Sequence, residues 1–121
     1  MKRVVILGAG TAGTMMANHL KHELDFKEWE IDIIDEQEEH HYQPGYLFLP
    51  FDIYSPKDII KSIKEFIPKG VRLLTDKIEK VDVENNLVKM QSGDQLHYDI
   101  LIIATGCKIA PEEVQGMKGA E

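Results

Sequence analysis

The stretch "VVILGAGTAG", residues 4–13, decides how this chain is read. Its glycines fall at Gly8, Gly10 and Gly13, the spacing G-x-G-x-x-G. Just before them, "RVVIL" (3–7) is a continuous apolar, β-branched run that stops at glycine, as a buried parallel strand does. Just after, "TAGTMMANHLKHEL" (11–24) sets Ala12, Met16, Leu20 and Leu24 four apart, on one face of a helix. A glycine triplet alone carries little weight. Between a strand and a helix it predicts the turn that holds a dinucleotide's pyrophosphate. Gly8 permits the tight turn, Gly10 lets the backbone approach the anion, and Gly13 lets the helix pack close to the strand. The amides of the first helical turn then hold the phosphates without a lysine.

The next strand, "EIDII" (30–34), ends at Asp35, which lies 22 residues after Gly13. An acid at that place is expected to accept hydrogen bonds from the two hydroxyls of an adenosine ribose, with Glu36 as a second candidate. From Glu28 to Pro56 there is no Lys or Arg to meet a 2′-phosphate, which argues against NADP. FAD and NAD both present ADP to such a site, so these features alone leave the choice between them open.

Where the next helix is due, the chain instead runs "EHHYQPGYLFLPFDIYSP" (39–56), rich in aromatics and proline, and this reads as an apolar loop. "SPKDIIKSIKEFIPKG" (55–70) then predicts a helix. Ser55 caps it, Pro56 takes its first position, and Asp58 completes a capping box. Ile59, Ile60, Ile63 and Ile67 form its apolar face and Gly70 its end. "VRLL" (71–74) predicts a third buried strand. From Asp76 to Tyr98 the pattern alternates and is broken by turn signals at Asn85-Asn86 and Ser92-Gly93-Asp94, which predicts a three-stranded antiparallel meander. "DILIIATG" (99–106) is the last buried strand. The expected fold is α/β: a Rossmann-like, doubly wound parallel sheet with a three-stranded antiparallel meander inserted.

Size and charge narrow the function classes. A chain of 121 residues supports one core, not two. With 14 basic and 21 acidic side chains it carries a net charge of -7, which disfavours binding to nucleic acid. The single cysteine, Cys107, permits no internal disulfide and makes a reducing cytoplasm the expected setting. The apolar run before Gly8 is too short for a signal peptide, and no window is long enough to span a bilayer.

"IDIIDEQEEHHYQPGYLFLPF", "IPKGVRLLTDKIEKVD" and "YDILIIATGCKIAPEEVQG", together with the glycine turn, resemble the FAD domain of the flavoproteins with two dinucleotide-binding domains. The resemblance is to the branch holding sulfide:quinone oxidoreductase and flavocytochrome c sulfide dehydrogenase, with type II NADH dehydrogenase as a cousin. The tetrapeptide "HYQP" (41–44) points most to the sulfide:quinone side. This resemblance implies FAD as the cofactor. It implies that Gly8, Gly10, Thr11, Ala12 and Gly13 surround its pyrophosphate, with Asp35 and Glu36 at the ribose. It also puts Gln43 and Pro44 on the isoalloxazine side, Ile78 at the adenine edge, and Ala104, Thr105 and Gly106 beside the cofactor. It implies sulfide and quinone as partners of a full-length parent that is peripheral on the membrane, with NADH in place of sulfide as the alternative. Residues 1–121 are then expected to be an incomplete N-terminal FAD-binding domain, without the second dinucleotide domain or the C-terminal region, and without turnover of its own. An incomplete sheet is expected to self-associate, as a homodimer or by exchange of edge elements.

Several residues are better explained by packing than by chemistry. Cys107 follows Ala-Thr-Gly directly and reads as a passive, buried cysteine. His19 and His22 read as part of a solvated helix face. His40 and His41 are adjacent and point opposite ways on an extended segment, and no metal is expected at either pair. Met15 and Met16 are expected to pack against the sheet.

Overall fold

A computed structural model describes residues 1–119. Strand β1 (Lys2–Leu7) leads into helix α1 (Thr11–Glu23), which is followed by β2 (Trp29–Asp35). A short β3 (Glu39–His41), a 3-10 helix at Gln43–Phe51 and a single turn α2 (Pro56–Ile59) come next. They are followed by β4 (Ile60–Ser62), a second 3-10 turn at Ile63–Phe66, β5 (Arg72–Thr75), β6 (Ile78–Asp82), β7 (Leu87–Met90), β8 (Gln95–His97) and β9 (Ile100–Ile103). Four strands make a parallel sheet in the order β5-β2-β1-β9. β6, β7 and β8 make the expected antiparallel meander, and β3 and β4 pair as a small antiparallel ribbon.

β1 is the centre of the molecule because it is apolar on both faces. Val4 and Ile6 join Ile31, Ile33 and Ala17 beneath α1. Val5 and Leu7, one residue out of phase, join Ile34, Val88 and Met90 beneath the meander. Each Val, Leu, Ile or Met among them contributes about 1.5–3 kcal/mol when fully buried. Asp32 interrupts the apolar run of β2 at 1% exposure. Its carboxylate takes two hydrogen bonds from Arg72 of β5, at 2.7 and 2.8 Å. Arg3 of β1 lies 3.2 Å from the same carboxylate and also donates to Glu30 at 2.7 Å. This cluster ties three neighbouring strands together away from the glycine turn.

Three expectations need correction. The helix predicted after Ser55 is only one turn long. The capping box is present, with the Ser55 N–H donating to Asp58 at 2.7 Å, but it starts a helix that ends at Ile59. Ile60 pairs with His41 across the β3–β4 ribbon, so Ile59 and Ile63 are buried while Ile60 is only half-buried. The loop predicted at 39–56 is in turn largely ordered backbone, a short strand followed by nine residues of 3-10 helix. Finally, β5 and β9 are the edges of the parallel sheet. The strand at β5 is at best half-buried, and on β9 Ile100 and Ile103 are 45% and 68% exposed.

Candidate functional site: two cavities joined at Asp35

The glycine turn lies at the C-terminal ends of β1 and β2, where open α/β sheets bind their ligands. Each glycine is required for a different reason. Gly8 has φ +97°, and a Cβ there would lie 2.3 Å from the Ala104 carbonyl oxygen, so the turn is pressed against the chain leaving β9. At Gly13 a Cβ would collide with the Gly8 carbonyl at 1.8 Å, so helix α1 packs on the turn itself as much as on the sheet. At Gly10, the residue before α1, a Cβ would meet nothing within 4 Å. Its surroundings are open, as a ligand-facing residue requires. The first turn of α1 has no acidic side chain and Gly10 supplies no side-chain cap. The unpaired amides at the start of α1 and the positive end of its dipole are therefore open to an anion, with no side chain of that turn competing.

Asp35 is fixed by the backbone on both sides. Its Oδ2 accepts from the Ala9 N–H at 2.6 Å, and its Oδ1 accepts from the Gln37 N–H at 2.8 Å. Each oxygen keeps a further lone pair, so two ribose hydroxyls can still be received. On one side of Asp35 is a cavity of about 220 Å³ lined by Gly8, Ile34, Glu36, Lys77, Ile78 and Thr105. On the other is a cleft of about 460 Å³ in which Ala9, Gly10 and Thr11 face Gln43, Tyr46 and Cys107. Glu39, His40 and His41 form part of its wall.

Of the residues expected at the site, Gly10, Thr11, Asp35 and Gln43 line the larger cleft, and Gly8, Asp35, Glu36, Ile78 and Thr105 line the smaller cavity. Gly13 is buried behind the turn, and Ala104 packs against the core with its N–H donating to the Leu7 carbonyl at 2.8 Å. Ala12, Pro44 and Gly106 are exposed and line neither space. Lys77 was not anticipated. The local sequence around Asp35 has no cation, but the start of the meander brings one into the same cavity. Tyr46, His41 and Glu39 were also missed as a group. Glu39 and His41 lie on the strand after the acid and Tyr46 in the 3-10 helix beyond it, and "HYQP" flagged the segment but not their grouping. Cys107 is exposed and faces the larger cleft, which corrects the buried reading. Met15, 66% exposed, does not pack on the sheet, whereas Met16 does pack against the core.

Two compartments flanking the glycine turn, with a two-acceptor carboxylate lining both, have the layout a dinucleotide requires. Residues 2–121 match the family described as pyridine nucleotide-disulphide oxidoreductase. The chain belongs to that family. Members of the pyridine nucleotide-disulphide oxidoreductase family are FAD-binding flavoproteins, and this chain corresponds to an FAD-binding part. It is 34% identical over 116 residues to a mitochondrial sulfide:quinone oxidoreductase of Dictyostelium discoideum, covering 96% of this chain and 25% of that protein. To a type II NADH:quinone oxidoreductase of Staphylococcus haemolyticus it is 29% identical, covering 97% of this chain and 29% of the other. The crystal structure of the sulfide:quinone oxidoreductase from Aquifex aeolicus superposes with a TM-score of 0.77 at 28% identity, covering 96% of this chain and 26% of that one. The chain thus spans about a quarter of the length of these relatives.

Proposed function

We propose that this chain holds FAD for a sulfide:quinone-type oxidoreductase. The observation that carries the reading is the open Gly10 backbone at the start of α1, set beside an Asp35 carboxylate that keeps two lone pairs free. When bound, FAD supplies two-electron redox chemistry, and the chain's task is to hold and orient it. The first-turn amides with Gly10 and Thr11 receive the pyrophosphate. Asp35 receives the ribose, with Glu36, Ile78 and Thr105 around the adenine end, and Gln43 stands in the larger cleft at the flavin end. Gly13 and Ala104 support the turn from behind. Lys77 lines the same cavity as Asp35 and Glu36, and these two acids oppose a 2′-phosphate there. The stronger likeness to a sulfide:quinone oxidoreductase, together with "HYQP" at residues 41–44, favours sulfide as donor and a quinone as acceptor for the whole protein. Among the described residues no helix is long and apolar enough to cross a membrane. In this reading the whole protein is a cytoplasmic enzyme that meets its lipid-soluble quinone at the membrane surface. Exposed Leu47, Phe51 and Ile53, with Ile103 on the β9 edge, support self-association of the chain by itself.

The purified chain is expected to show a flavin absorption band after incubation with FAD and removal of the excess. In the full-length protein, sulfide is expected to bleach that band. Bleaching by NADH and not by sulfide would overturn the choice of donor, and a colourless chain would overturn the cofactor site.

A further inference from the structure

We propose that the Tyr46 hydroxyl, governed by His41, is a hydrogen-bonding contact that the larger cleft offers to the flavin half of the bound dinucleotide. This rests on the FAD-binding reading above. The geometry is local and specific. Tyr46 Oη lies 2.8 Å from His41 Nδ1, and His41 Nε2 lies 3.6 Å from Glu39 Oε2. All three residues line the cleft that begins at the glycine turn, on the side of Asp35 away from Ile78. The fold builds this arrangement deliberately. The β3–β4 ribbon fixes His41 opposite Ile60, and the Tyr42 N–H donates to the Ile59 carbonyl at 2.8 Å. Gly45 then turns the chain back where a Cβ would lie 2.4 Å from Ile59, which lands Tyr46 against His41.

A hydroxyl held this way has a direction that depends on its partner. A protonated imidazole donates from both nitrogens, so Nδ1 must donate to Tyr46, and the tyrosine proton is free to point into the cleft. A neutral ring can instead accept at Nδ1, and Tyr46 then shows the cleft only an acceptor. FAD presents mainly acceptors, its phosphate oxygens and ring carbonyls, so the donor state is the one that binds it. Histidine is the side chain that ordinarily changes charge near neutral pH. The other titratable groups lining this cleft are Asp35, His40 and Cys107; on the strand opposite, Ile60 pairs with His41 and Ser62 with Glu39, while Lys61, the one charge of that strand, pairs with His40.

The test is the pH profile of FAD affinity for the 121-residue chain, read by quenching of flavin fluorescence. For the wild-type chain, affinity is expected to rise about fivefold as pH falls through the histidine transition, the effect of one hydrogen bond. Tyr46→Phe keeps the ring and removes the hydroxyl, so it is expected to flatten that rise and hold affinity at the weaker level, with the melting temperature little changed. His41→Gln is expected to flatten it too, and it carries the test if Tyr46→Phe does not fold. Effects of Asp35, His40 and Cys107 are common to all these chains and cancel in the comparison. A profile that both variants leave unchanged overturns the Tyr46 contact alone. A wild-type chain that takes up no FAD at any pH overturns the cofactor reading, and the contact with it.

Discussion

Gly10 and Gly13 stand three residues apart and face opposite demands, one from a ligand and one from the fold. A methyl group at Gly13 has no room, since it would overlap the Gly8 carbonyl, whereas at Gly10 it would project into open space. Gly13→Ala is therefore expected to destabilise the chain by about 3 kcal/mol, the upper end of overpacking costs, in chemical denaturation. Gly10→Ala, with its ordinary φ of -72°, is expected to leave stability within about 0.5 kcal/mol. It should nevertheless weaken FAD binding at least tenfold, because the methyl stands where a pyrophosphate must approach. Equal losses of stability in the two variants would contradict this division. The sequence motif named all three glycines. It could not say that Gly8 is needed as much for the close passage of Ala104 as for the turn, because that neighbour lies at the far end of the chain.

The parallel sheet shows how far elements can be read from local pattern. β1, α1 and β2 were legible because each has a continuous apolar run or a clear face and ends in glycine or acid. The segment 59–67 misled because its isoleucines fit a helical spacing. β-branched residues are mediocre helix formers, and the β3 strand offered Ile60 a ladder partner that local sequence does not reveal. The Arg3–Glu30–Asp32–Arg72 cluster was equally hidden, since it joins three strands distant in sequence. Asp32→Ala removes the buried acceptor shared by Arg3 and Arg72, whose side chains are 29% and 55% exposed and can turn to solvent, and is expected to cost about 2 kcal/mol. Within the same cluster, the hydrogen bond from Arg3 holds the Glu30 carboxyl below the ordinary glutamate range. A lowered folded value means that this contribution is complete above the unfolded pKa and is lost as pH falls through the folded one. Melting temperature should thus fall on the acid side, and in Glu30→Gln that acid limb should be shallower. Because Glu30 is 44% exposed, high salt should shrink the difference.

Across the whole molecule the apolar surface is uneven, with Leu47, Phe51 and Ile53 in one stretch and Ile100 and Ile103 along the free edge of β9. The chain alone is expected to grow in mean mass with concentration in light scattering, and Ile103→Lys should suppress that growth by placing a charge on the open edge. A constant monomer mass at high concentration would show that these side chains need no cover. One consequence of the strand order concerns how the protein is made. β1 emerges well before its second neighbour in the sheet, β9, with Arg3 and Asp99 joined across 96 residues. The central strand must therefore wait, half-paired, for nearly the whole of this chain to appear. Pairing weighted so heavily towards distant partners favours slow folding, and it makes the nascent β1–α1–β2 segment a natural client for holding chaperones.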